Sequence, residues 1–169
     1  PPLQGFFVQA TAAGASIDFS AAKEHNNVAY YKGSKAGPEN KSNFSLIRLK
    51  VGDGNHTDET AIWFNENSTT GKDRDYDAEK RISGDSRVQI WSGIKGHSFA
   101  INGIPFPEKS IDIPLSLRIP AEGKYSITQA GLENLEEGYA FYLKDLEKKS
   151  VIKLNSIPTY SFTTTKGII

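Results

Sequence analysis

A two-residue rhythm of apolar and polar side chains constrains this chain more than any other feature. In Ile111-Asp112-Ile113-Pro114-Leu115-Ser116-Leu117-Arg118-Ile119 every odd position is aliphatic and every even one is polar or proline. Successive side chains of an extended strand point to opposite faces, so such a stretch offers one face to a core and one to water. The rhythm also runs through Phe44–Val51, where Ile47, Leu49 and Val51 share a face opposite Arg48 and Lys50. It returns in Tyr139-Ala140-Phe141-Tyr142-Leu143-Lys144-Asp145. Leu115, Leu117, Phe141 and Leu143 are therefore expected in the core. Pro114 has no amide hydrogen to give a ladder and is expected at an edge or a bulge.

Strands are expected at Gly5–Ala10, Ser16–Phe19, Asn43–Val51, Thr60–Phe64, Arg87–Ser92, Ser98–Ile101, Ile111–Ile119, Lys124–Ala130, Tyr139–Asp145, Val151–Leu154 and Tyr160–Thr164, between clusters of Gly, Pro, Asn and Asp. No window of ordinary helix length keeps apolar residues at i, i+3, i+4 and i+7. The chain is expected to be all-β. Many short strands, each with one wet face, argue for an antiparallel β-sandwich of jelly-roll or Ig-like kind, since a lone sheet would leave an apolar face uncovered. One short helix is expected near residues 73–82, where Asp73-Arg74-Asp75-Tyr76-Asp77-Ala78-Glu79-Lys80-Arg81 places acids early and bases late, as the helix dipole prefers.

A length of 169 residues suits a single module spanning 1–169. Within it the polar, breaker-rich stretch Lys32–Ser42 reads equally as a loop and as a boundary. Lys+Arg and Asp+Glu number 20 each, so nothing in the composition supplies the phosphate attraction of a nucleic-acid binder. Apolar runs of a few residues fall far short of the roughly 20 that cross a bilayer, and no membrane insertion is expected. With no long apolar stripe to offer a partner helix, a monomer is expected. The absence of cysteine removes disulfides, zinc thiolates and cysteine nucleophiles. The absence of methionine, in a chain opening Pro1-Pro2-Leu3, reads as a piece of a longer protein.

Chemistry-bearing patterns are few. The histidines are His25, His56 and His97, each near loop signals, and no Gly-x-Ser-x-Gly elbow, His-Glu-x-x-His pair, phosphate loop or dinucleotide fingerprint accompanies them. The expectation is that the chain is not an enzyme. Asp73-x-Asp75-x-Asp77 opens like a calcium loop, because hard cations take carboxylate oxygens from alternate positions. Ala78 then stands where an EF-hand has glycine, and Gly84 where it has a bidentate glutamate. A calcium site of another kind, joined by Asp53, Asp58 or Glu59, is one reading. A structural acidic turn, neutralised by Lys72, Arg74, Lys80 and Arg81, is the favoured one.

Aromatic faces suit the CH surfaces of sugars, which makes Tyr30, Tyr31, Trp63 and Trp91 the candidate ligand-binding residues, with Tyr76 beside them. Trp63 and Trp91 lie in apolar strand patterns and are expected to pack. The adjacent pair Tyr30-Tyr31 must turn one ring outward if it lies in a strand.

An ordered set of motifs then resembles a known family. Pro2-Leu3-Gln4-Gly5-Phe6-Phe7-Val8 is similar to the P-[ML]-Q-G-F-F-V segment of multidomain Bacteroidetes proteins exported by the type IX secretion pathway. The order that follows is also similar: Arg48, Leu49 and Val51; Asp58, Ile62 and Phe64; Asp75, Asp77, Ala78 and Lys80; Ser98 to Pro105; Ile113, Pro114, Leu115 and Leu117; Tyr125 to Thr128; Leu143, Lys144 and Asp145; and Tyr160 to Thr163. The resemblance implies a β-sandwich module that precedes a C-terminal sorting domain in a secreted or cell-surface parent. Its partners would be the other domains of that parent. The implied function is a non-catalytic accessory, spacer or docking module; the alternatives are a carbohydrate-binding or adhesive module, with a glycan as ligand, and a calcium-stabilised structural sandwich.

Overall fold

Every regular element among the described residues is a strand. The structure is a computed structural model that describes residues 12–16, 45–84, 86–94, 96–134, 139–155 and 158–169. Its strands are β1 (Ser45–Gly52), β2 (Thr57–Phe64), β3 (Ala78–Glu79), β4 (Gln89–Ile94), β5 (His97–Ile104), β6 (Leu115–Ile119), β7 (Gly123–Glu133), β8 (Tyr142–Asp145), β9 (Ser150–Lys153), β10 (Thr159–Thr164) and β11 (Gly167–Ile168). The chain divides into two compact units, Pro1–Lys41 and Ser42–Ile169. Of the first, the described part is an exposed turn in which the Ala15 amide donates to the Ala12 carbonyl and Gly14 takes φ +77°. The expected strand Gly5–Ala10, residues 17–19 of the next one, the stretch 32–42, and both Tyr30 and Tyr31 lie outside the described residues.

In the second unit the pairing runs β10-β7-β1-β2-β5-β4-β6-β11, with β3 added on β5, making a nine-stranded sheet; β8 and β9 form a separate hairpin. β1 and β2 are joined by a turn that the Asp53 carboxylate holds, accepting the amides of Asn55 at 2.8 Å and His56 at 2.6 Å. Gly54 stands in that turn at φ +93°, a conformation that favours glycine.

β5 changes partner along its length. Ser98 and Phe99 pair antiparallel with Gly93 and Ser92 of β4, whereas Ile101–Ile104 pair parallel with Ala61–Phe64 of β2. The changeover is stitched by Thr60, only 1% exposed, whose hydroxyl lies 3.2 Å from the carbonyls of both Phe99 and Ala100.

The core follows the alternation. Ile47, Leu49 and Val51 from β1 join Ile62 and Phe64 from β2, Ile90 from β4, Leu117 and Ile119 from β6, and Tyr125 and Ile127 from β7 in one cluster. β7 and β6 stand five places apart in the sheet order, about 24 Å on a flat sheet at the usual strand spacing. Sharing one core therefore requires the sheet to curl on itself. Leu143 of the hairpin and Leu154 just after it complete the cluster, with Leu115 and Phe141 packed against it.

Two expectations are corrected. The all-β class holds, but the pairing runs as one strongly curled, mixed sheet with a hairpin, not clearly as two antiparallel sheets, and the β2–β5 pair is parallel. Curling covers the apolar face that the sequence argument gave to a second sheet. The helix near residues 73–82 does not form: the chain turns at 74–76 and then enters β3. A helix this short is marginal by itself, and here Ala78 and Glu79 find ladder partners in Ile101 and Phe99 instead. Pro114 stands just before β6, where its carbonyl accepts the Gly93 amide at 2.9 Å.

Candidate functional site

The acidic turn between β2 and β5 is where the chemistry-bearing residues gather. Its chain reversal brings Asp73 and Asp77 into mutual contact: the Asp77 amide donates to the Asp73 carbonyl at 2.9 Å, and the Asp73 amide donates to the Asp77 carboxylate at 2.6 Å. The other oxygen of Asp77 accepts the Gly103 amide of β5 at 2.8 Å. Asp73 accepts the Thr69 amide and hydroxyl. Asp75 is exposed. Carboxylates that accept backbone amides in this way fix a loop. Among the described residues no group of three or more His, Cys, Asp or Glu side chains is placed to hold a metal ion.

Trp63 roofs the same turn. Its indole N–H donates to the Tyr76 carbonyl at 3.0 Å, and the two rings lie 5.8 Å apart. The approach is so close that a Cβ on Gly103 would come within 2.2 Å of the Trp63 indole nitrogen and 2.7 Å of the Tyr76 Cβ. Trp91 lies on β4, 5% exposed. The structure thus places Trp63 against the acidic turn and Trp91 in the interior.

Asp58 ties three segments. Its carboxylate accepts the Lys80 ammonium and the Ile90 amide, the latter at 2.8 Å, so β2, the strand end after β3, and β4 meet on one group. The Lys80 side chain is 11% exposed and that of Asp58 25%. Glu59, the neighbouring acid, pairs instead with Arg48 at 3.2 Å, and Arg48 also reaches Glu133 at 3.4 Å. Asp53, Asp58 and Glu59 consequently serve three separate local structures. The loop amide of His56, with that of Asn55, holds the Asp53 carboxyl below its ordinary range despite some desolvation. Lys72 beside Glu79 lowers the Glu79 carboxyl likewise. His56 and His97 are exposed, each beside an acid, Asp53 at 3.5 Å and Glu79 at 3.7 Å.

Two features escaped the sequence reading. Gln89, 5% exposed, forms a three-bond clip with Ser83: its amide N–H groups donate to the Ser83 carbonyl and hydroxyl, and its carbonyl accepts the Ser83 amide. A polar residue in an apolar strand was the only available signal. The second is an open groove of about 380 Å³ at the β6–β11 end of the sheet, lined by Gly84, Ser86, Arg118, Pro120, Lys166 and Ile168 among others. Arg118 reads in sequence as an ordinary wet-face residue, and the pairing that makes a groove beside it lies some fifty residues away.

Comparison with known proteins adds one finding. Neither curated proteins nor solved structures gave a match. A family model described as Domain of unknown function (DUF8693) matches residues 2–169, nearly the entire chain, and the chain belongs to that family.

Proposed function

We propose that the chain is a non-catalytic accessory module of a larger exported bacterial protein, working as a spacer or docking platform beside the other domains of its parent at the cell surface or outside the cell. The observation that carries this reading is the use made of the motif residues. Asp58, Asp77, Lys80 and Gly103, all within the segments that resemble modules of type IX-exported proteins, are engaged in holding β2, β4 and β5 together. The two carboxylates accept backbone amides, and the Lys80 ammonium is taken up by Asp58. In this reading the curled sheet, closed by its hairpin, does the work of a two-sheet sandwich, and the module is a monomer.

The carbohydrate-binding alternative now rests on Tyr30 and Tyr31, since Trp63 and Trp91 are occupied in packing. A glycan array probed with the 169-residue chain separates the readings. Silence is the expected result. Reproducible binding that is lost on Tyr30→Ala or Tyr31→Ala would replace the spacer reading with a recognition module.

A further inference from the structure

Three polar residues lie fully buried on three consecutive strands of the sheet: Thr60 on β2, Asn102 on β5 and Ser92 on β4. Thr60 and Asn102 share its core side. Thr60 stands across from Leu49 and Asn102 in register with Ile62, and both of those apolar partners belong to the core cluster. Neither the nitrogen nor the oxygen of the Asn102 amide meets a hydrogen-bond partner among the described residues. Such a head offers two donors and an acceptor, and stripping it of water with none of them used is costlier than ordering one water molecule on it. The remaining unpartnered atom, Ser92 Oγ, stands across from Phe99, three residues along β5 from Asn102, and belongs to another place.

Thr60 supplies the other half of a site. Its hydroxyl has one hydrogen, and the carbonyls of Phe99 and Ala100 both lie 3.2 Å away to take it, so its lone pairs remain to accept. Because Ile62 is the register partner of Asn102, Thr60 is the diagonal neighbour of Asn102, about 8 Å away at ordinary strand spacing and rise. The two side chains do not bond directly. A threonine hydroxyl and an asparagine head reaching toward each other from that separation leave a gap that one water spans, at about 2.8 Å from each. We propose that a structural water is bound between the Asn102 amide and the Thr60 hydroxyl, at the point where β5 changes partner from β4 to β2. The water accepts from Asn102 Nδ2 and donates to Thr60 Oγ1, which relieves the N–H groups, the kind of group a core tolerates least unpaired. It thereby supports the phase of β5, in which Asn102 rather than Ile101 turns inward. This inference goes beyond the spacer reading and does not depend on it.

The test is water-selective NOESY and ROESY NMR on the isotope-labelled 169-residue chain, with water-deuteron relaxation dispersion to count long-lived internal waters. The expected result in the wild-type protein is cross-peaks from water to the Asn102 side-chain amide and to the Thr60 methyl, of opposite sign in the two experiments, which marks bound water rather than hydrogen exchange. Asn102→Leu, close in volume but without the polar head, should lose these cross-peaks and lower the count by one. Thr60→Val keeps the branched shape and removes the acceptor, and should lose the Asn102 cross-peaks as well. The wild-type spectrum decides the matter by itself even where a variant fails to fold. No water cross-peak at the Asn102 amide, or an unchanged count in folded Asn102→Leu, overturns the proposal. Asn102 cross-peaks undiminished in Thr60→Val overturn the share given to Thr60.

Discussion

The Tyr160 phenol donates a hydrogen bond to the Asp145 carboxylate, and this bond ties the β8–β9 hairpin to β10 at the end of the main sheet. The same carboxylate accepts the Lys148 amide at 2.8 Å in the hairpin turn, and the Lys148 ammonium lies 5.9 Å from the centre of the Tyr160 ring. Leu143 and Leu154 hold the hairpin from beneath, within the core. A two-stranded hairpin is marginal alone; here it is anchored by an apolar footing and one polar clasp.

The clasp predicts a pH dependence with two limbs. The Lys148 amide, then the Tyr160 hydroxyl, lower the Asp145 carboxyl pKa. A lowered folded value means that the stabilisation is complete above the unfolded carboxyl value near 4 and is lost as pH falls through the folded one. Asp145 raises the Tyr160 pKa, with burial adding to it. That stabilisation is complete below the ordinary phenol value of about 10 and is lost as pH rises through the folded one. Tyr160→Phe should cost about 1–2 kcal/mol near neutral pH, abolish the alkaline limb and leave much of the acid limb, which rests first on Lys148. Urea unfolding from pH 2 upward measures both, and parallel curves for the two proteins above about pH 9 would count against the clasp.

The acidic turn predicts a contrast between neighbours. Asp77 accepts two backbone amides, from Gly103 and Asp73, so Asp77→Ala should destabilise by about 2–3 kcal/mol. Asp75 is exposed, and Asp75→Asn should fall within about 0.5 kcal/mol of wild type. Millimolar calcium should leave the melting temperature unmoved. A bound ion at a hundred times its dissociation constant would add about 2.7 kcal/mol, so a rise abolished by chelator and by Asp75→Asn would restore the metal reading.

How far the sequence foretells this fold depends on which interaction decides each strand. In β1 and β6 the alternation decides: Ile47, Leu49, Val51, Leu117 and Ile119 all lie in the core as their phase requires. In β5 it misleads. Asn102 is fully buried while Ile101 is 43% exposed, the reverse of their hydropathy, because the strand's phase is set by parallel pairing with β2 and by the Asp77 and Thr60 contacts. Those partners lie 26 to 40 residues away in the chain, beyond the reach of any local pattern. The acidic turn was legible as charge but not as shape, since helix and strand endings differ there only by which amides the carboxylates meet.

Gly103 predicts an effect of space rather than of backbone angle. Its missing Cβ is what admits the Trp63 indole and Tyr76 beside β5. Gly103→Ala forces both aside and strains the indole bond to the Tyr76 carbonyl, at an expected cost of about 1–3 kcal/mol. Trp63 fluorescence should shift with the folded baseline, since the indole loses its partner before the chain unfolds. An unchanged native emission with unchanged stability would mean that the turn is not seated on β5 as described.

Asp58 offers the most stringent test of how the sheet is held. Asp58→Asn preserves the shape and an acceptor for the Ile90 amide but leaves the Lys80 ammonium, 11% exposed, without its charge partner. Removing one member of a pair this enclosed should cost about 3 kcal/mol, because the remaining charge keeps its desolvation penalty. Lys80→Met removes the charge instead, while Asp58 keeps the Ile90 amide, and should cost less. The double variant should then be more stable than the sum of the two single losses implies, since no unpaired ammonium remains. The enclosed pair should also be insensitive to added salt, unlike the exposed Lys144–Asp112 pair. Urea unfolding of the four proteins closes the cycle. Strict additivity would mean that Asp58 acts on Ile90 alone and that the Lys80 pair contributes nothing to the junction of β2, β3 and β4.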